Sequence, residues 1–371
     1  MSLYLSSRYA VVISMLIALG GLSSCQNTSG RESASAPSQA FTKESMLENI
    51  FSFGILPTHA TFTMECRLLD STSALFVATP TQQTLSDLQA QWVKTKQAWK
   101  ACELYSLAEV KDNFLHNKID KWPTNPRLLT NNLEGDTELN EAFVEGSGST
   151  SKGLPALEYF LFSPSPLADF TSDPFSERRR LYVKALTENL LVRSEDLENV
   201  WINIQAEFMG ATENFSKGSV NELVNAQVGL LEKILNDKLG KPLGKTRADQ
   251  IDPSKAEAYL SGVSLSLIES NLISFKAGFQ GDPAKPGFDD LLDNEEAKVD
   301  DVLLSEAILT QLDKCIQKVA AINDPLTIRL EDQREALDEL YGMIIDLLFL
   351  VKVDMANNLG ILVTFNDTDG D

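Results

Sequence analysis

A single carboxylate stands in an apolar segment that carries the signals of a helix start. Glu158 lies within residues 153–162, and its neighbours there are apolar or aromatic. Gly153 or Ser151 can begin a helix and Pro155 suits a first turn, so Glu158 is predicted near the positive end of the helix dipole. A buried carboxylate needs a cation, a set of hydrogen-bond donors or a metal. Two interpretations follow: a ligand-binding carboxylate, or one satisfied by its own helix start or by an arginine.

The histidines limit the hydrolytic chemistry that the chain can perform. There are two, His59 and His116, and Phe62 and Ile119 stand three residues after them. Neither histidine therefore begins a His-x-x-Glu or His-Glu-x-x-His motif. A hydrolytic zinc site requires about three protein ligands, and histidines are usually among them. A Ser-His-Asp triad would need one of the same two histidines. The sequence assigns no catalytic residue, and peptidase activity is disfavoured.

The elements that must position Glu158 are predicted to be helices nearly throughout. Apolar residues recur at helical spacing in about four regions before Gly218 and about four after it. The simplest arrangement that buries these stripes is an all-α fold of two tandem four-helix bundles, residues 42–217 and 218–371. Residues 111–152 are predicted to be irregular, and such long segments are often functional. Residues 343–353 are apolar on nearly all sides, which predicts a central, buried helix.

The N-terminal residues have the pattern of an export signal. Arg8 precedes an apolar run over residues 10–19, which is too short to span a bilayer. The run ends in Leu-Ser-Ser-Cys at Cys25, which resembles a bacterial lipobox, so residues 1–24 are predicted to be a lipoprotein signal peptide and Cys25 the lipidated residue. An ordinary signal peptide with a stray cysteine is the alternative. Residues 25–41 are predicted to be a flexible tether, and Gln26 favours the outer membrane over the inner one.

The net charge and the cysteines limit the partners and the disulfides that can be expected. The formal net charge is -21 over 371 residues, and so negative a surface repels phosphate backbones, which excludes nucleic acid as a partner. Cys66 and Cys102 are predicted on consecutive helices at heights that differ by on the order of 12 Å, so a disulfide between them is not expected. Cys315 is predicted to be a buried apolar residue.

Several segments together resemble those of the imelysin-like family. Gly153, Pro155 and Glu158 occupy the positions of the family's Gly-x-His-x-x-Glu motif, with Pro155 where the histidine stands. Residues 119–123 are similar to its Ile-Asp-x-Trp-Pro segment, and residues 238–242 to its Lys-Leu-Gly-x-Pro segment. Trp99 resembles a tryptophan on an early helix of the family, and residues 364–371 resemble its Gly-Phe-Asn-x-x-Asp-Gly-Asp tail.

This resemblance implies two similar four-helix bundles with a ligand site between them. It also implies a periplasmic, non-catalytic binding component linked to iron uptake, with metal-uptake proteins as partners. Iron or another metal ion is the implied cofactor, although Pro155 cannot bind a metal. The candidate ligand-binding or metal-binding residues are Glu158, Asp120, Trp122 and Tyr159, and the last three each have a structural interpretation as well. The alternatives are a metallopeptidase, as in the older classification of the family, and a scaffold lipoprotein whose site has decayed.

Overall fold

Polar caps start several of the helices in the computed structural model, which describes residues 41–213, 215, 217–246 and 250–363. The Thr81 hydroxyl accepts from the Thr84 backbone N–H at the start of one helix, and the Asn125 and Asn140 amides start two others in the same way. The predicted signal peptide, the lipidation of Cys25 and the C-terminal tail over residues 364–371 lie outside the described residues. By backbone contacts, the chain from Phe41 onward forms one unit.

The first set of helices lies between residues 43 and 210. It contains α1 (Lys43–Asn49), α2 (Leu56–Ala78), α3 (Gln82–Glu103), α4 (Ala108–Asp112), α5 (Leu115–Asp120), α6 (Pro126–Glu134), α7 (Glu141–Gly146), α8 (Gly153–Leu161), α9 (Pro166–Thr171) and α10 (Ser176–Gly210). A π-helical stretch, Ile50–Ile55, joins α1 to α2, and a 3-10 turn, Ser149–Ser151, leads into α8.

The second set begins at residue 219. It contains α11 (Ser219–Lys233), α12 (Lys241–Leu243), α13 (Ser264–Gln280), α14 (Phe288–Asn294), α15 (Leu304–Ile322), α16 (Leu326–Asp332), α17 (Arg334–Phe349) and α18 (Ala356–Asn358). Two π-helical stretches, Ile234–Gly240 and Leu350–Met355, extend α11 and α17, and a 3-10 turn covers Pro253–Lys255. The strands β1 (Lys298–Val299) and β2 (Val302–Leu303) form a short antiparallel pair.

The long helices pack into two neighbouring groups. In the first set α2 packs against α3 and α10, and α8 packs against both α3 and α10. In the second set α15 packs against α13 and α17. Helix α3 also packs along α13, so the two sets meet at these helices. The prediction of an all-α fold is confirmed, whereas a domain boundary at residue 218 stays a prediction.

Two local predictions are wrong. Residues 111–152 contain short helices, α5, α6 and α7, because asparagine caps start two of them and their apolar residues reach the core. The helix over residues 343–353 is not buried on all sides, since Ile345 and Phe349 are 44% and 57% exposed. Ile344 and Leu347 are buried on the face that packs against α15 and α11, while part of the remaining surface is exposed.

The cysteine predictions hold in the described part of the chain. Cys66, Cys102 and Cys315 are free and buried. Burial raises the pKa of the Cys315 thiol to about 12, which keeps it protonated and apolar in character. None of the described helices has the length and the apolar character that are needed to cross a bilayer.

His59 lies inside the first set between the rings of Tyr105 and Trp201, with centroid separations of 6.1 and 5.8 Å. Its Nδ1 lies 2.6 Å from the Ile55 carbonyl oxygen, to which the neutral ring donates. Its Nε2 has no hydrogen-bond partner among the described residues. Burial lowers the pKa of His59 to about 4, against the opposing effect of the Ile55 hydrogen bond.

We expect acid to destabilise the fold through His59. The unfolded histidine binds a proton near pH 6.5 and the folded one near pH 4, so the unfolded state holds more protons between these values. The free energy of unfolding then falls as the pH falls through this range, by about 3 kcal/mol from this group. Urea unfolding from neutral to acidic pH should show a weaker pH dependence in His59→Phe. An equal pH dependence in both proteins would contradict the assignment.

Candidate functional site

One face of α3 carries charged side chains into the interior of the protein. Lys96, Lys100 and Glu103 are spaced by four and three residues, so they share a helix face. Trp92 and Trp99 lie along the same side of the helix and are buried. The side chains of Lys96 and Lys100 are only 2% and 1% exposed. Buried ammonium groups require acceptors, and two other segments supply them.

Asp120 and Glu257 bind both lysines. Asp120 is the last residue of α5; its Oδ1 accepts a short hydrogen bond from the Lys96 Nζ, and its Oδ2 lies 2.7 Å from the Lys100 Nζ. Glu257 belongs to the segment between the 3-10 turn at residues 253–255 and α13. Its Oε1 lies 3.1 Å from the Lys96 Nζ and 2.6 Å from the Lys100 Nζ. Asp120 belongs to the first set of helices and Glu257 to the second.

A third lysine extends the cluster along the boundary between the helix sets. The Lys238 Nζ lies 2.8 Å from Glu103 Oε2 and 3.2 Å from Glu257 Oε2, and it also donates to the Asn271 side chain. Glu103 additionally pairs with Lys233, whose side chain is 42% exposed. We call the six charged residues at the centre the junction network: Lys96, Lys100, Glu103, Asp120, Lys238 and Glu257.

The charges of the junction network stabilise one another. Burial alone would raise the pKa of the Glu257 carboxyl, but Lys100, Lys238 and Lys96 hold that pKa well below its usual value. Burial likewise opposes the charge on Lys100, and Asp120, Glu103 and Glu257 keep its pKa well above the usual value. Glu257 and Lys100 are therefore held in their charged forms, and the formal charges of the six side chains balance.

Glu158 lies beside this network on α8. Its Oε1 accepts hydrogen bonds of 2.9 Å from both the backbone N–H and the hydroxyl of Ser261. Burial raises the pKa of Glu158, while the Ser261 hydrogen bonds and the charge of Lys96 act in the opposite direction. The sequence predicted that this carboxylate would need a cation, a set of donors or a metal. Its hydrogen-bond donors come from Ser261, which lies in the second set of helices.

Gly153 allows α8 to start against the end of α5. Its φ is +70°, and a Cβ at this position would lie 2.2 Å from the Ile119 carbonyl oxygen. Only a residue without a side chain fits both conditions. The neighbouring Leu154 carbonyl accepts from the indole N–H of Trp92 at 3.0 Å, which fixes α8 on α3. Glu158 and Asp120 are thereby held on adjacent elements.

The other two candidate residues lie outside the ion pairs. Trp122 is half-buried just beyond α5 and is joined to Pro123 by a cis peptide bond. Tyr159 is half-buried and packs edge-on against Phe160, with ring centroids 5.5 Å apart. The ion pairs and hydrogen bonds described for the junction network involve neither aromatic side chain. Their ligand-binding roles stay predictions.

The residues at this site do not fit a directly bound metal ion. Pro155 is buried on α8 and offers no side-chain donor at the position of the motif histidine. Both oxygens of Asp120 are bonded to lysine ammonium groups, and Glu158 is held by Ser261. In the part of the chain that the structure describes, no group of three or more His, Cys, Asp and Glu side chains is arranged to hold a metal.

The histidines are also separate from Glu158. His59 lies in the interior of the first set, and His116 lies on α5. Burial and the charges of Lys233 and Lys121 lower the pKa of His116. The hydrogen bonds that the structure describes for Glu158 come from Ser261 and from neither histidine.

Sequence reasoning found two of the residues at the junction and missed most of the others. Asp120 and Glu158 were candidates, whereas Lys96, Lys100, Glu257 and Ser261 were not. One signal was available, because two lysines four residues apart on a tryptophan-bearing helix face repel each other unless acids lie opposite. Glu257 and Ser261 lie in an irregular segment and carried no such signal.

The fold and the site together define an all-α protein whose two helix sets meet at a buried ion network. The imelysin family model matches residues 55–349, which is most of the chain. The chain belongs to the imelysin family, as the motifs predicted. A comparison with curated proteins finds no significant match.

Two solved structures have the same fold. An imelysin-like protein from Psychrobacter arcticum is 19% identical, with a TM-score of 0.70 over 87% of this chain and 97% of the other. A protein from Parabacteroides distasonis, provisionally named an iron-regulated protein A precursor, is 18% identical. Its TM-score is also 0.70, over 87% of this chain and 96% of the other. At these identities the similarity establishes the fold alone.

Proposed function

We propose that this chain is a non-catalytic binding component of an iron-uptake system, exported and tethered to a membrane. Membership of the imelysin family supports this function, and the name of the Parabacteroides distasonis protein supports the link to iron. The signal-like N-terminus and Cys25 support export and a lipid anchor. Gln26 supports anchoring at the outer membrane, on its periplasmic side. Metal-uptake proteins in the same membrane are the proposed partners.

The observation that carries this proposal is the convergence of two separated motifs at the boundary between the helix sets. Asp120 is bonded to Lys96, and the charge of Lys96 also acts on Glu158. Glu257 and Ser261 approach the same place from the second set. Buried ion pairs contribute little net stability compared with well-packed apolar side chains. Stability alone is therefore a weak reason for these charges, whereas a binding site needs them.

A metal complex suits this junction better than a bare ion. Lysines already neutralise Asp120 and Glu257, whereas a complex brings its own ligands for the metal. Such a ligand needs charge and hydrogen bonds from the protein. The lysine ammonium groups and the Ser261 hydroxyl would offer both to the carboxylate oxygens of a chelator in exchange for the carboxylates that they contact in the structure.

Ferric citrate is the probe for the first test, titrated by calorimetry into the full chain in detergent. Glu158→Gln removes the charge but retains the size of the side chain and an acceptor for Ser261. We expect saturable binding by the wild type, weakened about tenfold or more in Glu158→Gln, because the neutral amide no longer offers a carboxylate to the ferric ion of the complex. A tenfold loss corresponds to about 1.4 kcal/mol. Glu195→Gln is the matched control, because Glu195 pairs with Arg67 on the exposed surface. It should bind as the wild type does.

A scaffold lipoprotein with a decayed site is the second candidate. It is favoured by Pro155 at the histidine position and by the lysines that already neutralise Asp120 and Glu257. If neither the wild type nor Glu158→Gln binds ferric citrate, the scaffold function is preferred. Co-purification with membrane proteins would then identify what the scaffold holds.

A further inference from the structure

The lysines and carboxylates at the centre of the junction form a closed ring. Asp120 uses Oδ1 to bind Lys96 and Oδ2 to bind Lys100. Both ammonium groups then meet at a single atom, Glu257 Oε1, at 3.1 and 2.6 Å. All four side chains are between 1% and 3% exposed. Two ammonium groups thus bridge the same two carboxylates in a space from which water is excluded.

Two carboxylates that face each other across a buried space are a common setting for a divalent cation. The two ammonium groups together carry the same charge as one such cation. We propose that Lys96 and Lys100 occupy the place of a divalent cation between Asp120 and Glu257. Two lysine side chains of the protein thus bridge the carboxylates of the two helix sets, which is the role that a metal ion would otherwise have.

Charge balance supports this assignment. The junction network contains three lysines and three carboxylates, so a divalent cation added to it would leave two uncompensated positive charges in a buried space. Such charges are strongly unfavourable at low dielectric. The ammonium groups are also tethered to α3, which gives them a high effective concentration at the carboxylates. A free cation would have to displace both of them.

Pro155 is consistent with the same arrangement. Because it occupies the motif position of histidine on α8, the residues around Glu158 lack an imidazole that could bind a metal. Asp120 and Glu257 face lysine ammonium groups, and Glu158 Oε1 accepts hydrogen bonds from Ser261. The lysines neutralise Asp120 and Glu257 whatever ligand the protein binds, so the inference does not depend on a role in iron uptake.

Removal of both lysines should create affinity for a divalent cation. The double variant Lys96→Met/Lys100→Met retains the length of both side chains and leaves Asp120 and Glu257 short of two positive charges. Thermal unfolding of the full chain in detergent, with and without Mn²⁺ in large excess, measures the effect. We expect Mn²⁺ to raise the melting temperature of this double variant by several degrees and to leave the wild type unchanged.

Lys276→Met is the matched control, because Lys276 pairs with Asp313 at the surface; its melting temperature should not respond to Mn²⁺. No response in the folded double variant would overturn the proposal. If the double variant does not fold, calorimetric titration of the wild type with Mn²⁺ decides. Saturable binding that Asp120→Asn abolishes would overturn the proposal, and the absence of binding would support it. Ferric citrate binding is a separate measurement, so either idea can fail alone.

Discussion

Glu257→Ala should lower the free energy of unfolding by about 3–5 kcal/mol, since it removes one side of a buried ion network. Glu257 is the carboxylate that contacts all three lysines of the junction network, at 3.1 Å for Lys96, 2.6 Å for Lys100 and 3.2 Å for Lys238. Without it, Lys96 keeps only Asp120, and Lys100 keeps Asp120 and Glu103. The unpaired positive charge stays in the interior, where water cannot solvate it.

Urea unfolding at neutral pH measures this loss, with Glu195→Ala as the control. Glu195 pairs with Arg67 at 3.1 Å, but both side chains are about half exposed, so this variant should lose no more than about 1 kcal/mol. Because Glu257 joins the second helix set to α3, Glu257→Ala should also weaken the contact between the sets. If both variants lost the same small amount, water would have access to the junction and the network would not be buried.

Gly153→Ala should lower the free energy of unfolding by about 2–5 kcal/mol through two separate effects. The φ of +70° costs an alanine about 1–2 kcal/mol in the left-handed region. The added Cβ would also lie 2.2 Å from the Ile119 carbonyl oxygen, and forcing backbone apart costs a further 1–3 kcal/mol or so. The displacement would separate α8 from α5, and Glu158 from Asp120.

Gly342→Ala is the matched control for this substitution. Gly342 lies inside α17, and a Cβ there would meet nothing within 4 Å. Alanine is favoured over glycine within a helix by about 0.5–1 kcal/mol, so this variant should be as stable as the wild type or slightly more stable. Chemical denaturation of both variants gives the comparison. Equal stability of Gly153→Ala and the wild type would show that α8 does not need its close approach to α5.

The two predictions concern the same structural problem. Asp120 lies on α5 and Glu158 on α8, and no helical periodicity relates the two residues. Gly153 allows α8 to start in contact with the end of α5, which brings these two elements together. The second helix set then approaches with Glu257 and Ser261. A change at Gly153 should therefore alter Glu158-dependent ligand binding as well as stability.

Much of the architecture follows from the sequence alone. Helical periodicity depends on residues three and four apart, so the apolar stripes were sufficient to predict an all-α fold. The motifs around Gly153, Glu158 and residues 119–123 were sufficient to predict the family. The chemistry of Glu158 was also predictable in outline, because a carboxylate among apolar neighbours must find a partner.

The identity of the partners was decided only by the tertiary structure. Ser261 and Glu257 are more than 100 residues from α8 and α3 in the chain, and no local pattern reports contacts over such distances. Lys96 and Lys100 on a helix are typical of an exposed face, and only the approach of Asp120 and Glu257 makes them interior residues. The same approach neutralises the carboxylates that the motif suggested for a metal. Local periodicity thus determines which faces are buried, whereas the packing of distant segments determines which charges meet there.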